Sequence, residues 1–509
     1  MKKYMGNKSK ALNTIYAESQ LLAPDAHTIF DAFAGTTNVG QFFKSKGYSV
    51  ISNDVNTTSR LLGNVYLELN KLPTFNKLFS SNSLSTKKLK KADANGTLSS
   101  LSDEFICQNR NTNNEIYMQS ISGSNAFKLL VYLSFIASEE DYEDTTYHYK
   151  LLAPDFIWRN YCFEGYKSRY FNLVSQKSIL SQILDLKKIK DKSTDISAII
   201  SILHSIYEPP YNIGGLKDAI EKLDTLELGG GDSTIIRRVQ SKLIALSKRN
   251  NHVGNRIFFS ENHGHRIDTI NNLTLLWLKD RLINSDEYNY LQCALLEAVA
   301  LFSNTSATYQ AFYKTYRENT KQIFRLVVPE IIPSDKKHYV YCKDTFDLIQ
   351  NLPQSYDILY LDPPYNWRIY DSNYHLLNLI ADFNNHADSI LEYEKGIAGA
   401  AGENRLLERE YTNYNRRNTF EELLFKLIMN AHCKYVIISY SDSLSNHNKN
   451  SLSSVEKIEN FLSDPTYFVP NSYKKVEVSS IKFESRKSEK KDKINELLFI
   501  AQKKGMNFL

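Results

Sequence analysis

The chain is poor in cysteine. Its five cysteines, Cys107, Cys162, Cys293, Cys342 and Cys433, stand far apart among 509 residues, and no two form a CxxC pair. That excludes a readable zinc ribbon or redox dithiol, and an odd, sparse set fits a reducing compartment. Long apolar runs are also missing, since no stretch approaches the roughly 18 residues needed to span a bilayer. The opening Met1-Lys2-Lys3-Tyr4-Met5-Gly6-Asn7 has no apolar core of the kind a signal peptide carries. The expectation is a cytoplasmic protein with no membrane partner. Charge of one sign is not dominant either. A net charge of +5 permits a nucleic-acid partner without requiring one. His263-Gly264-His265-Arg266 lacks further ligands at metal-binding spacing, so it reads as a polar loop, and no metal site is expected.

What is present is ordinary globular material, 42% hydrophobic and 23% charged, enough in length for about three units. The first sixty residues read as α/β. Thr28 to Phe33 is a short apolar strand, Ala34 to Asn38 a small-residue turn, Val39 to Lys46 a helix ending at Gly47, and Tyr48 to Ser52 a second strand. Strand, turn, helix and strand make a βαβ unit and call for a parallel sheet. A helix is expected from Leu61 to about Leu72. Ser80 to Ser100, rich in Ser, Lys, Asn and Gly, reads as a surface loop or linker. Helical spacing then dominates from about Phe127 to Arg249, from Asn271 to Phe302 and from Tyr309 to Phe324. Strand signals return at His338 to Cys342, Tyr356 to Leu361, Tyr435 to Tyr440 and Leu497 to Ala501, with helices at Asp347 to Asn351 and Phe420 to Asn430.

The strongest chemical signal is Asp362-Pro363-Pro364-Tyr365, which follows the apolar strand Tyr356 to Leu361. Two prolines cannot continue a sheet, so Asp362 and Tyr365 fall at the carboxyl edge of the strands, where open α/β sheets bind ligands. A carboxylate, a carbonyl before proline and an aromatic ring together suit a flat base bearing an amino group. Glu208-Pro209-Pro210-Tyr211 is superficially similar but follows helical spacing rather than a buried strand. Asp31-Ala32-Phe33-Ala34-Gly35-Thr36-Thr37 sits at a strand-to-helix turn, where glycine lets a ligand approach the backbone. Asp54 ends the next strand. An acid there can bind ribose hydroxyls, the alternative being a surface carboxylate.

These motifs resemble the DNA adenine methylases in which the cofactor motif precedes the catalytic motif, as found in restriction-modification systems. The likeness rests on Tyr4-Met5-Gly6-Asn7-Lys8, Phe30 to Gly40, Ser52-Asn53-Asp54, about Phe258 to Lys314, Lys343-Asp344, Asp362 to Leu377 and Ile438-Ser439-Tyr440. No match is evident from about Asn70 to Val253. The resemblance implies a Rossmann-like α/β methyltransferase sheet split in sequence, with a large, mostly helical insertion. It gives a discontinuous catalytic domain over 1–69 and 328–509 and a helical region shared with the family over 256–327. The insert over 70–255 lies outside the likeness; its basic residues suggest target recognition and DNA clamping, the alternative being a partner-docking or stabilising domain. The implied reaction is methyl transfer from S-adenosylmethionine to the N6 amine of adenine in double-stranded DNA, with a restriction endonuclease as companion.

The implied catalytic residues are Asp362, Pro363, Pro364 and Tyr365. Asp362 and the Pro363 carbonyl would accept both amine protons while Tyr365 stacks on a base flipped from the duplex. The implied cofactor residues are Tyr4, Lys8, Asp31, Phe33, Gly35, Asp54 and Asp344. Lys8 would clamp the cofactor carboxylate, the alternative being an exposed basic tail; Asp344 would accept from the cofactor adenine, the alternative being a helix cap. A glycine usually stands in the family where this chain has Thr37. Lys314, Lys167 and Arg169 are expected to meet DNA phosphates. Tyr309 and Tyr313, four apart, read as packing. None of the cysteines follows a proline, which excludes the nucleophile of a cytosine C5 methylase. Cytosine N4 methylation shares the amine chemistry and stands as the alternative, followed by a DNA-binding module without catalysis.

Overall fold

The computed structural model describes residues 8, 11–109, 114–141, 155–162, 237, 241, 256–306, 308–363, 370–398, 401–404, 420–441, 454–480 and 494–504. A seven-stranded sheet organises one part of it. Its strands are β1 (Thr28–Asp31), β2 (Ser49–Asn53), β3 (Tyr339–Tyr341), β4 (Ile358–Leu361), β7 (Tyr435–Ser441), β8 (Lys474–Ser480) and β9 (Ile494–Gln502), while β5 (Ile397–Ala398) and β6 (Glu403–Asn404) form a separate antiparallel pair. The order across the sheet is β3-β2-β1-β4-β7-β9-β8. The pairings from β3 to β7 are parallel, and β9 runs antiparallel to both of its neighbours.

A parallel sheet is covered on both faces, and the sequence meets that demand with apolar residues at consecutive positions. Ile29, Val50, Ile358, Tyr360, Ile437 and Leu498 pack on one side, against helices Leu12–Leu22 and Asn38–Ser45. Phe30, Ile51, Leu359, Leu361, Ile438 and Phe499 pack on the other, against helices Thr345–Gln350, Phe420–Asn430 and Ser454–Leu462. Two lysines close helix ends beneath these layers. Lys44 Nζ donates to the carbonyls of Tyr66, Leu67 and Leu69 at 3.2, 2.7 and 2.7 Å, and burial lowers its pKa to about 8. Lys503 Nζ likewise donates to Ile428, Met429 and Ala431 at 2.8, 2.9 and 2.7 Å. Each ammonium satisfies carbonyls that a helix C-terminus leaves without partners.

Between β2 and β3 the described elements are helical. They share a core with helix Tyr370–Ala381. Helix Glu261–Lys279 lies against Phe156–Tyr161, and Asp268 accepts from the amides of Ile157 and Trp158 at 2.8 and 2.9 Å, closing the start of that short helix. Gly264 permits the contact: a Cβ there would sit 2.4 Å from Cys162 Sγ. Among the described residues no helix is long and apolar enough to cross a membrane.

Three expectations need correction. Within Ser80 to Ser100 the chain forms helices Leu84–Ala94 and Thr97–Asn109 rather than a loop, because Leu89, Ala92, Leu98 and Phe105 supply buried positions at helical intervals. Residues 309–324 are not a helix. They run irregularly with one short turn, Glu318–Thr320, since Asn304 takes over their backbone partners: it donates to the Tyr313 carbonyl at 3.0 Å and accepts from the Arg317 amide at 3.2 Å. His263 to Arg266 lie in the first turns of helix Glu261–Lys279, and His263 is buried with its Nε2 2.7 Å from the Gln322 carbonyl.

His338, just before β3, is buried. Its Nδ1 accepts from the Val50 amide at 3.2 Å, and its Nε2 lies 3.1 Å from Ser334 Oγ. Burial, with the Lys44 ammonium nearby, lowers its pKa to about 4. The unfolded chain therefore takes up a proton near the ordinary value that the fold refuses, and stability is lost as pH falls from about 6.5 to about 4. Relative to His338→Gln, the parent should lose up to about 3 kcal/mol over that range in urea titrations at successive pH values. A constant difference between the two would contradict this assignment.

Candidate active site

The carboxyl ends of β1, β2 and β4 bring three acids, Asp31, Asp54 and Asp362, to one edge. The β1–β4 register sets Asp31 beside Tyr360, so Asp362 emerges just beyond Asp31. The β1–β2 register sets Asp31 beside Ser52, so Asp54 emerges on the other flank. Asp31 is buried, and its Oδ1 has no hydrogen-bond partner among the described residues. Burial and the neighbouring carboxylates of Asp362 and Asp54 push its pKa well above the ordinary range, against the pull of the Phe33 and Gly40 amides. Asp54 Oδ2 accepts from the Gly35 amide at 2.9 Å, while Oδ1 accepts from the backbone amide and side-chain Nδ2 of Asn56 at 2.9 and 2.8 Å. Asp54 thus holds the β1 turn onto the end of β2, and burial raises its pKa.

The turn itself explains Thr37. Gly35 has φ 50°, and Thr37 has φ 59° and ψ 15°, left-handed backbone that favours glycine. Thr37 is fully buried. Its amide donates to Ala34 O at 2.7 Å, its hydroxyl donates to Thr36 O at 2.7 Å and accepts from Gln41 Nε2 at 2.9 Å. The side-chain bonds offset the conformation that a second glycine would adopt without strain.

Lys8 lies at the opposite side of Asp362. Its ammonium is 3.1 Å from Asp362 Oδ1 and also pairs with Glu496 of β9. Glu496 Oε1 accepts from Ser439 Oγ of β7 at 2.6 Å. Burial pushes Asp362 up to about 6, with Lys8 opposing and Glu496 adding to the rise. The exposed-tail alternative for Lys8 is not met: Lys8 is buried, with its ammonium against Asp362 Oδ1.

Asp344 adopts the cap alternative, its Oδ1 accepting from the Phe346 and Asp347 amides at 2.8 and 3.4 Å. It remains near the site because Asn53 donates to the Lys343 carbonyl and to Thr345 Oγ1, and Thr345 in turn donates to Ala32 O. Phe33 is partly buried against the β1 face that holds Phe30. Pro363 is buried. Tyr4, Pro364, Tyr365, Lys167 and Arg169 lie outside the described residues, as does Glu208 to Tyr211.

The segment after helix Ser285–Phe302 meets helix Tyr370–Ala381, where the Tyr309 amide donates to the Asn373 carbonyl at 2.8 Å. Tyr309 is buried and stacks on Phe258, as packing requires, whereas Tyr313 is exposed under the Arg317 guanidinium at 4.7 Å. Lys314 is exposed beside it. Sequence reasoning missed Glu496 and Asn56. A signal for Glu496 did exist, since it is an acid opening the otherwise apolar run Leu497 to Ala501.

Comparison with known proteins bears on this edge. The family described as "D12 class N6 adenine-specific DNA methyltransferase" matches residues 4–152 and 224–393, more than half of the chain. The match corrects the span read as unrelated, which narrows from about 70–253 to 153–223. The chain is 30% identical to Type II methyltransferase M.FokI of Planomicrobium okeanokoites over 49% of its own length and 35% of the relative's. It is 33% identical to Type II methyltransferase M.NlaIII of Neisseria lactamica over 37% and 52%. It is 29% identical to Modification methylase StsI of Streptococcus sanguinis over 49% and 35%. The chain therefore spans about a third to a half of these relatives' lengths. No solved structure gives a significant match.

The Thr37 turn predicts an order of stabilities. Thr37→Gly removes a buried side chain yet relieves left-handed strain of about 1–2 kcal/mol, so it should stay within about 1 kcal/mol of the parent. Thr37→Val keeps the strain and strips the partner from Gln41, and should cost about 1–3 kcal/mol. Denaturant midpoints of the three proteins decide the order; a valine variant as stable as the glycine one would refute it.

Proposed function

The chain belongs to the D12 class of N6 adenine-specific DNA methyltransferases, and from that premise we propose that it transfers a methyl group from S-adenosylmethionine to the N6 amine of adenine in double-stranded DNA, as the modification arm of a restriction-modification system. The observation that carries the reading is the shared edge on which Asp362 follows β4 while the Gly35 turn and Asp54 follow β1 and β2. The strand order, with one reversed strand among parallel ones, is consistent with a methyltransferase sheet whose strands come from two sequence portions, one ending at Asn53 and one beginning at Tyr339.

The residues present fit the cofactor. Asp31 Oδ1 is a buried acceptor without a donor among the described residues, and three carboxylates gather where a cationic ligand would relieve their repulsion. We assign Asp31, Phe33, Gly35, Asp54, Asp344 and Tyr4 to its binding. The cofactor supplies an electrophilic methyl group. The chain's contribution is to the nucleophile. Ionised Asp362 and the Pro363 carbonyl would accept hydrogen bonds from the two amine N–H groups, which favours a pyramidal nitrogen with its lone pair free, and Tyr365 would stack on the flipped base. Lys8 keeps Asp362 ionised near neutral pH by opposing the burial that raises its pKa to about 6.

Incubating the purified chain with labelled cofactor and duplex DNA, then separating the nucleosides, tests the reaction. N6-methyladenosine is expected; N4-methylcytosine as the product would overturn the adenine assignment. Asp362→Ala should abolish transfer while cofactor affinity, measured by calorimetry, changes by less than about threefold. The kcat of the parent should fall on an acidic limb as Asp362, whose pKa burial raises, takes up a proton.

DNA contact is assigned to Lys314, beside exposed Tyr313 and Tyr316, and to Lys167 and Arg169 in the insert. Cations interleaved with exposed rings suit a phosphate backbone and unstacked bases. Lys314→Ala should weaken DNA binding and lower the slope of log affinity against log salt by about one. An unchanged slope would remove Lys314 from the interface.

A further inference from the structure

Glu496 is a charged residue where the fold favours none. It opens the run of β9 in which Leu497, Leu498, Phe499, Ile500 and Ala501 are buried, and its own side chain is 13% exposed. Placing a carboxylate there is unfavourable unless paired. Its partners are specific: Ser439 Oγ donates to Oε1 at 2.6 Å, and the Lys8 ammonium pairs with the same oxygen. Lys8 comes from the segment before helix Leu12–Leu22, where the Ala11 amide donates to the Lys8 carbonyl at 2.8 Å and Ala11 packs in the core on one face of the sheet. The same ammonium then reaches Asp362 Oδ1 at 3.1 Å. Three remote stretches of chain meet at one nitrogen.

Resting on the function proposed above, we infer that Glu496 is a positioning residue, which with Ser439 fixes the Lys8 ammonium against Oδ1 of Asp362 and so leaves Oδ2 to accept from the target amine. A flexible lysine on a long stem holds a carboxylate in many geometries, whereas one anchored at a second carboxylate holds it in one. Orientation of the acceptor governs whether the amine lone pair lines up with the incoming methyl group, so its loss appears in kcat rather than in cofactor binding.

Among the described residues the groups facing Asp362 are Lys8 from the N-terminal segment, Glu496 from β9, Asp31 from β1 and Tyr360 from β4. Of these, Glu496 raises and Lys8 lowers the Asp362 pKa. Glu496→Gln and Lys8→Gln should therefore move the acidic limb of kcat in opposite directions, to lower pH for Glu496→Gln and to higher pH for Lys8→Gln. A merely structural role gives no such opposition.

The experiment uses the full chain, with methyl transfer followed from pH 5 to 9 at saturating S-adenosylmethionine and DNA, and cofactor affinity measured by calorimetry. For Glu496→Gln the expected result is a fall in kcat of about tenfold, cofactor affinity within about twofold, and the downward limb shift. Glu496→Asp, which keeps the charge but withdraws it by one methylene, should also lower kcat and serves as the readout should the glutamine variant fail to fold. Parental kcat and parental pH limb in the variants would overturn the role of Glu496 and leave the methyltransferase reading standing. Absence of methyl transfer by the parent chain would instead bring down that reading, and the inference with it.

Discussion

The parallel pairing of β1 with β4 is the constraint on which the rest depends. It joins Ile29 to Ile358 and Phe30 to Leu359, residues that are remote in sequence, and it thereby delivers Asp31 and Asp362 to the same edge. A slip of one residue would turn each strand's two apolar faces over and exchange Ile358 and Tyr360 with Leu359 and Leu361 between layers. Burial on both faces resists that slip. The chemical site is thus held by apolar packing rather than by its own polar bonds. The site carries unfavourable terms of its own: like charges stand close together, Asp31 has an acceptor oxygen without a donor among the described residues, and Thr37 sits in left-handed backbone.

Binding sites commonly store unfavourable local terms that the surrounding scaffold offsets. Here the offsets can be named. Asn56 and the Gly35 amide hold Asp54, Gln41 and Thr36 hold the Thr37 hydroxyl, and Lys8 stands between Asp362 and Glu496. A cationic cofactor fits the excess of carboxylates, and a chain from which such a ligand has been withdrawn keeps the repulsion as a standing preference for binding one.

Much of the sheet was legible in the sequence because strands buried on both sides carry unbroken apolar runs, as in Ile358 to Leu361 and Tyr435 to Ile438. The turn after β1 and the Asp-Pro stop after β4 were legible because glycine and proline restrict the backbone locally. β8 was not read: Lys474 to Ser480 lies at the sheet edge, where polar residues suffice. Helices Leu84–Ala94 and Thr97–Asn109 were obscured by their lysines and serines, since only a few buried positions in each carry the period. The segment after Phe302 carried a helical spacing that the side chain of Asn304 overrides by capturing the backbone groups of Tyr313 and Arg317. Lys8 and Glu496 were unreadable as a pair, because nothing local links residues so far apart.

The interior position of β9 bears on how the protein is made. β9 lies between β7 and β8, so it completes the sheet from within, although it is the last of the seven strands to be synthesised. At typical elongation rates, roughly 3 to 12 s separate the emergence of β7 from that of β9. During that interval the nascent chain carries β7 with one side open and β8 with no neighbour to pair with. Until β9 arrives, Lys8 and Ser439 also lack Glu496. The polypeptide therefore passes through translation with an open sheet edge, a period in which a chaperone or a distracting strand competes for that place, and the geometry around Asp362 is completed only at the close of synthesis of the sheet.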